Sequence, residues 1–439
     1  MQRAFHARAL PTARPAVVPG IVIFGAAATV ATGLTIKAAT GGLGTALPPL
    51  VSVWAPKVTP WATVSAAALA AAAALAPFGG RRIRSPLAFA GFLFALALVL
   101  GLGLNLARDG SHGWYSIFDL GPHGSFEAPH EYLPGLPALS YGTRFFLDRF
   151  AELVPSLPVN VAGHPPGLLL TLHLLEIRSA PSMAALCVGS GSLCAPLAYD
   201  LGRTLGGEQR GRTAGLLTAF APSLLLFGVT SADYLFAALG LAAACLLVRK
   251  RLAVVIAGAV VAALAAFFSW LLLAIPAWAA LVVLQRDGPR RALALAATCA
   301  IALVVFNGAL AAWVGYDPLG ALEATGGVYR NSLARIRPYG FWLFGSPTAW
   351  LVMLGLPTAW LAARSAAGRD QTTLALAAVV VVSAVAGFTK AETERIWLPF
   401  VPLACVAAAA SLERRHIPAV LWALAAQALL AELLLYTIW

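Results

Sequence analysis

The chain has 439 residues, of which 60% are hydrophobic and only 11% charged, and its mean hydropathy is +0.82. An ordinary soluble domain carries roughly 25% charged residues, so this composition excludes a soluble globular protein. The formal charge of +12 sits in small clusters between apolar blocks rather than along one stripe, which points to membrane topology and away from nucleic acid.

The apolar blocks run for about 16 to 22 residues, the length a helix needs to cross roughly 30 Å of hydrocarbon. No segment alternates in polarity as a barrel strand would. In chain order, about thirteen helices are predicted, at 17–36, 61–78, 86–106, 181–201, 213–229, 233–248, 252–268, 270–285, 291–313, 346–363, 371–388, 397–411 and 417–437. Arg3, Arg8 and Arg14 precede the first block without a convincing cleavage site, so an uncleaved first span is expected. The five cysteines all lie inside apolar blocks and show no CxxC spacing, which argues against disulfides and zinc.

With the N-terminus cytoplasmic, alternation places every short basic loop on the cytoplasmic side: Arg81-Arg82-Arg84, Arg203-Arg210-Arg212, Arg249-Lys250-Arg251, Arg286-Arg290-Arg291, Arg364-Arg369 and Arg414-Arg415. That satisfies the positive-inside rule. Most acids fall on the other side, which also has two long loops, at 107–180 and 314–345. Within the first, Leu139 to Ser156 gathers Phe146, Leu147, Phe150, Leu153 and Val154 on one helical face, with Arg144, Asp148 and Glu152 opposite. This predicts a helix lying in the interface plane. Pro166 to Ile177 is apolar but too short to cross, and reads as a re-entrant or interfacial helix.

Four polar constellations are candidate sites. The first comprises Asp109, Asp119, and Glu127 and Glu131 in the run from Phe126 to Tyr132. A carboxylate there suits a general base or a cation ligand, while each acid alone also reads as a solvated loop residue. The second is His164-Pro165-Pro166-Gly167, equally a plain helix start. The third is Lys390 to Pro399, with Lys390, Glu392, Glu394 and Arg395 squeezed between two spans. An arginine at that depth can grip phosphate, and the alternative is a surface salt-bridge cluster. The fourth is the second long loop, where Arg330, Arg335, Arg337, Tyr329 and Tyr339 suit an anionic or sugar ligand, or lipid headgroups. Asp233 stands at the start of a span, where it reads as a cap.

The order of these features resembles the GT-C superfamily of polyprenyl-phosphate-sugar-dependent glycosyltransferases, such as protein O-mannosyltransferases and lipid A aminoarabinose transferases. His130-Glu131-Tyr132 stands where that family has an acidic, often Asp-Glu, motif. Phe145-Phe146-Leu147-Asp148 is similar to its aromatic-Asp element, His164-Pro165-Pro166 to its His-Pro-Pro helix start, Ala221-Pro222-Ser223 with Ser231-Ala232-Asp233 to its outer hairpin, and Glu394 to Pro399 to its lipid-phosphate element. The likeness covers about residues 86 to 415, flanked by two N-terminal spans in 1–85 and one C-terminal span in 416–439. The first acid of the Asp-Glu pair is His130 here, which leaves the base open among Glu131, Glu127, Asp119 and Asp109.

The resemblance implies an all-α, GT-C-like transmembrane bundle. It implies transfer of a sugar, mannose or arabinose foremost, from a polyprenyl-phosphate donor to a glycan or lipid-linked hydroxyl at the outer face of the plasma membrane, in cell-envelope glycan synthesis. Asp148, His164, Asp233, Arg330, Arg337, Tyr339, Lys390, Glu394 and Arg395 are its candidate substrate-binding residues. The choice between no metal and a divalent cation such as magnesium or manganese stays open. Partners would be the donor, the acceptor and membrane lipids. The competing class is a multi-spanning transporter or lipid-linked sugar flippase, for which mid-span charges and paired halves would be expected.

Overall fold

A computed structural model describes residues 16–122 and 124–438. Among these residues the chain is helical except for one ribbon, in which β1 (Ser52–Trp54) pairs antiparallel with β2 (Leu435–Thr437) in the register Ser52 to Thr437, Val53 to Tyr436 and Trp54 to Leu435. The helix limits follow local chemistry. Thr59, Ser85 and Ser179 each turn a hydroxyl back onto an N–H of the first turn, and each precedes or adjoins a proline there; a proline in the first turn loses no hydrogen bond. Gly41, Gly315 and Gly387 end their helices in the left-handed region.

Among the described residues, seven helical segments are long and apolar enough to cross a bilayer: Val17–Thr40, Pro60–Arg82, Pro86–Ser116, Ala180–Ala219, Trp270–Asp287, Pro289–Val314 and Arg414–Leu434. Leu356–Ala367 and Gln371–Ala386, bent by 110° to one another, make an eighth if taken as one span. The chain is therefore an all-α, multi-pass membrane protein. Its outer surface supports this: only 11% of the most apolar stretch of Pro289–Val314 is buried, leaving Leu293, Val304, Val305 and Trp313 exposed. Apolar side chains facing outward on this scale need lipid around them.

The count of about thirteen spans is corrected by these lengths. Predicted blocks 181–201 and 213–229 fall in Ala180–Ala219, where two helices turn back on one another at Gly206 and Gly207, the latter at φ 82°, so that Gly202 packs on Gly211. The block 346–363 straddles a break at Gly355, at φ 103°, between Tyr339–Leu354 and Leu356–Ala367. Asp233–Leu247 and Leu252–Ala266 have 15 residues each, about 22 Å at 1.5 Å per residue. The block 397–411 yields only the short apolar helix Leu398–Ala408.

Charges separate to the two ends of the bundle. At one end Arg210 makes a bidentate pair with Asp370 at 2.9 and 3.0 Å and donates to Val406 O, Arg212 donates to Gly80 O and Ile83 O, Arg249 binds Asp200, and Arg291 donates to Arg249 O. The basic loops thus share one end. Pro86–Asp109 runs from there to the other end, where Asp109 meets Lys57 at 2.8 Å.

The long segment 107–180 folds over that second end. Phe146, Leu147, Phe150 and Val154 are buried as their spacing predicts. The helix is not continuous, however: it breaks at Arg149 (φ −102°, ψ 9°), between Thr143–Asp148 and Phe150–Leu153. Arg149 then pairs with Glu152 at 2.9 Å and Asp148 at 3.8 Å, so the expected charge row is anchored one turn along from Arg144. The predicted re-entrant helix is Gly167–Leu174, eight residues long. Its first N–H donates to Phe267 O at 2.9 Å, and a Cβ on Gly167 would lie 2.4 Å from that same oxygen.

That contact is with backbone and cannot be relieved by a side-chain rotation. Gly167→Ala is expected to destabilise the protein by about 1–3 kcal/mol, read as a lowered unfolding midpoint in detergent. Gly189→Ala, where an added Cβ meets nothing within 4 Å, should leave the midpoint unchanged; equal effects would show that the approach to Phe267 is not tight.

Candidate functional site

Two short turns bring the polar residues together. Thr393–Ile396 is a single helical turn held by Thr393, whose hydroxyl donates to Ser346 O at 2.6 Å. The turn points Arg395 into the bundle. There its Nη1 meets Asp233 Oδ2 at 2.9 Å, both side chains being about 95% buried. Asp233 opens Asp233–Leu247 but makes no capping bond; the cap expected from its position is replaced by this ion pair.

Glu392 extends the network. Its two carboxylate oxygens reach Arg337 Nη2 at 3.0 Å and Arg395 Nη2 at 3.5 Å. Ala391 and Glu392 both lie at positive φ, 71° and 60°, a conformation that costs non-glycine residues energy and persists where surroundings enforce it. Lys390 Nζ donates to Ala334 O and Arg337 O, and its N–H donates to Tyr329 Oη at 2.6 Å. Arg337 in turn donates to Lys390 O at 2.9 Å. Glu394, also buried, accepts from the Val51 N–H at 2.6 Å, so the segment after the first helix packs over this cluster. Leu43, Val51, Phe341, Trp342 and Ala391 form a small core beneath it.

Glu131 faces the same cluster from the long loop. Only 1% of it is exposed, and Asn160 Nδ2 donates to its Oε1 at 2.7 Å. Burial raises its carboxyl to about 8, with Arg395 opposing and Asp233 and Glu127 adding to the rise. Glu127 is raised as well, chiefly by burial, and contacts His130 at 3.3 Å. Burial pushes Glu394 up to about 7. His164 Nδ1 lies 2.7 Å from Asn160 O, so one backbone carbonyl links it to the residue that holds Glu131; burial lowers its affinity for a proton.

Of the residues singled out in the sequence, Asp233, Arg337, Lys390 and Arg395 belong to one contact network, with Glu394 beside it and Glu131, Glu127 and His164 around its edge. Others lie apart from it. Asp109 pairs with Lys57, and Asp119 closes a local turn on the Gly121 N–H at 2.9 Å. Asp148 is exposed beside Arg149. Arg330 is exposed at the end of its helix, and Tyr339 donates to Val385 O at 2.6 Å. Asn160 escaped sequence reasoning because nothing in its neighbourhood signals a buried amide. Glu392 was legible only as one of four clustered charges; its bridging role depends on Arg337, more than fifty residues away.

Among the described residues, no three His, Cys, Asp or Glu side chains are grouped to hold a metal ion. Asp233 and Glu392 are already turned toward guanidinium groups. No protein-family model matches the chain, and no curated protein is significantly similar to it.

Two expected outcomes follow from the burial of these charges. Asp233→Ala removes a carboxylate paired with the buried Arg395 and should cost about 3–5 kcal/mol in denaturant unfolding, against less than about 0.5 kcal/mol for the exposed Asp148→Ala. Glu131 has a folded value above its ordinary 4.5, so folding takes up a proton between the two. Its contribution is complete below about pH 4.5 and lost as pH rises through about 8. Unfolding midpoints of Glu131→Gln should therefore fall less steeply than wild type over that window; parallel curves would remove Glu131 as the titrating group.

Proposed function

We propose that the protein is a GT-C-like glycosyltransferase that moves a sugar from a polyprenyl-phosphate donor to a hydroxyl acceptor. The observation that carries this reading is a buried carboxyl, Glu131, set within electrostatic reach of the Asp233–Arg395–Glu392–Arg337 network at one end of an apolar bundle. The membrane supplies the donor's isoprenoid tail in two dimensions, so the protein need only grip the headgroup. Arg395 and Arg337 offer planar forks suited to phosphate oxygens, and a phosphate would exchange with the carboxylates that now hold them.

Glu131 is the favoured base. A general base works best with a pKa near the operating pH, and burial brings Glu131 to about 8. Glu127 is second, being half-buried and engaged with His130. In the proposed step the acceptor O–H gives its proton to Glu131 while its oxygen bonds to the anomeric carbon. The bond from that carbon to the phosphate oxygen breaks, and polyprenyl phosphate leaves with the electron pair. One base opposite one leaving group gives inversion. The basic loops would face the cytoplasm and this network the outer face of the plasma membrane, where mannose or arabinose donors serve cell-envelope glycan synthesis.

The test is transfer from radiolabelled polyprenyl-phosphate mannose and arabinose to a glycan extract by the purified protein. Glu131→Gln should lower kcat by at least about 100-fold, and Arg337→Lys should mainly raise KM for the donor through loss of the bidentate fork. Undiminished turnover in Glu131→Gln would reassign the base. Absence of transfer with every donor would favour a transporter or flippase, a reading that rests on the 110° break between Leu356–Ala367 and Gln371–Ala386.

A further inference from the structure

We infer that a groove at the basic end of the bundle, remote from the network above, binds the anionic headgroup of a phospholipid. The groove holds about 550 Å³ between the end of Pro60–Arg82 with Ile83 and Arg84 after it, the stretch from Glu208 to Leu216, and Arg414, Arg415 and Ile417. Its rim carries five arginines, Arg81, Arg84, Arg212, Arg414 and Arg415, against one acid, Glu208. That acid is spoken for: it accepts from Arg212 Nε at 2.6 Å and from Tyr199 Oη at 3.0 Å. Arg415 is paired with Glu413 at 2.9 Å. Arg81, Arg84 and Arg414 are exposed and make no ion pair among the described residues.

Arg212 makes this a built site rather than a loose collection of surface charge. Its guanidinium lies over the Phe89 ring at 4.6 Å and donates to Gly80 O at 2.9 Å and Ile83 O at 2.8 Å. These contacts fix a positive charge at the junction of three helices before any ligand arrives, so little freedom is lost on binding.

A lipid, rather than a soluble anion, is the occupant that matches the walls. Pro77, Leu216 and Ile417 give the groove an apolar side. The helices framing it carry exposed Leu75, Phe78, Leu87 and Trp422 toward the hydrocarbon. A headgroup phosphate among the arginines would leave its acyl chains against those residues, whereas a free anion would leave the apolar side uncovered. Basic pockets between spans at the charged membrane face are suited to anionic headgroups.

The experiment is native mass spectrometry of the detergent-purified protein titrated with phosphatidylglycerol or phosphatidylcholine of identical acyl chains, and separately with pyrophosphate. Phosphatidylglycerol should be retained at least about tenfold more tightly than phosphatidylcholine. The triple variant Arg81→Ala, Arg84→Ala, Arg414→Ala should lose that preference while keeping its lipid-free unfolding midpoint. Equal retention of the two lipids, or a preference that survives in a folded triple variant, would overturn the site. Pyrophosphate binding as tightly as phosphatidylglycerol would overturn the lipid and leave a soluble-anion site. Sugar transfer is not read in this assay, so its outcome is independent of the catalytic proposal.

Discussion

A charged pair buried in an apolar bundle sets the terms for everything around it. Neither Arg395 nor Asp233 could stand alone where it is, because an unpaired charge out of water costs several kcal/mol. The two are 162 residues apart in sequence, so their meeting ties the start of Asp233–Leu247 to the turn Thr393–Ile396. From that turn the constraint spreads: Glu392 recruits Arg337, Lys390 ties down the backbone around Arg337, and Glu394 takes the Val51 N–H. Each added charge finds a partner from a different part of the chain. The network is consequently a tertiary object with no local equivalent.

Glu131 meets this network on different terms. It accepts a hydrogen bond from Asn160, whereas Arg395 pairs with Asp233. Desolvation therefore dominates, and its proton is retained to higher pH than an exposed glutamate would keep it. Asp233 and Glu131 are both buried acids, the first paired with a guanidinium and the second with an amide.

The opposite end of the molecule solves a different problem. Its loops are short and its arginines are spent largely on carbonyl oxygens and on Asp370, Asp200 and Glu208, which stitch helix ends together. Where that stitching runs out, at Arg81, Arg84 and Arg414, charge remains at the edge of the groove. One end thus buries its charges against one another, and the other spreads them at the surface.

Composition and block length alone establish that this is a helical membrane protein, because hydrocarbon admits few residue types and requires each helix to satisfy its own backbone. The burial of Phe146, Phe150 and Val154 was likewise legible, since helical spacing puts them on one face whatever lies beneath. The number of full spans was not: hydropathy does not register the break at Gly355, where glycine permits backbone angles that end a straight run. Nor could the sequence separate Glu131 from Asp109 and Asp119. All three are acids in the same long loop, and what distinguishes them is whether folding leaves them water, a lysine, a local turn, or a buried amide.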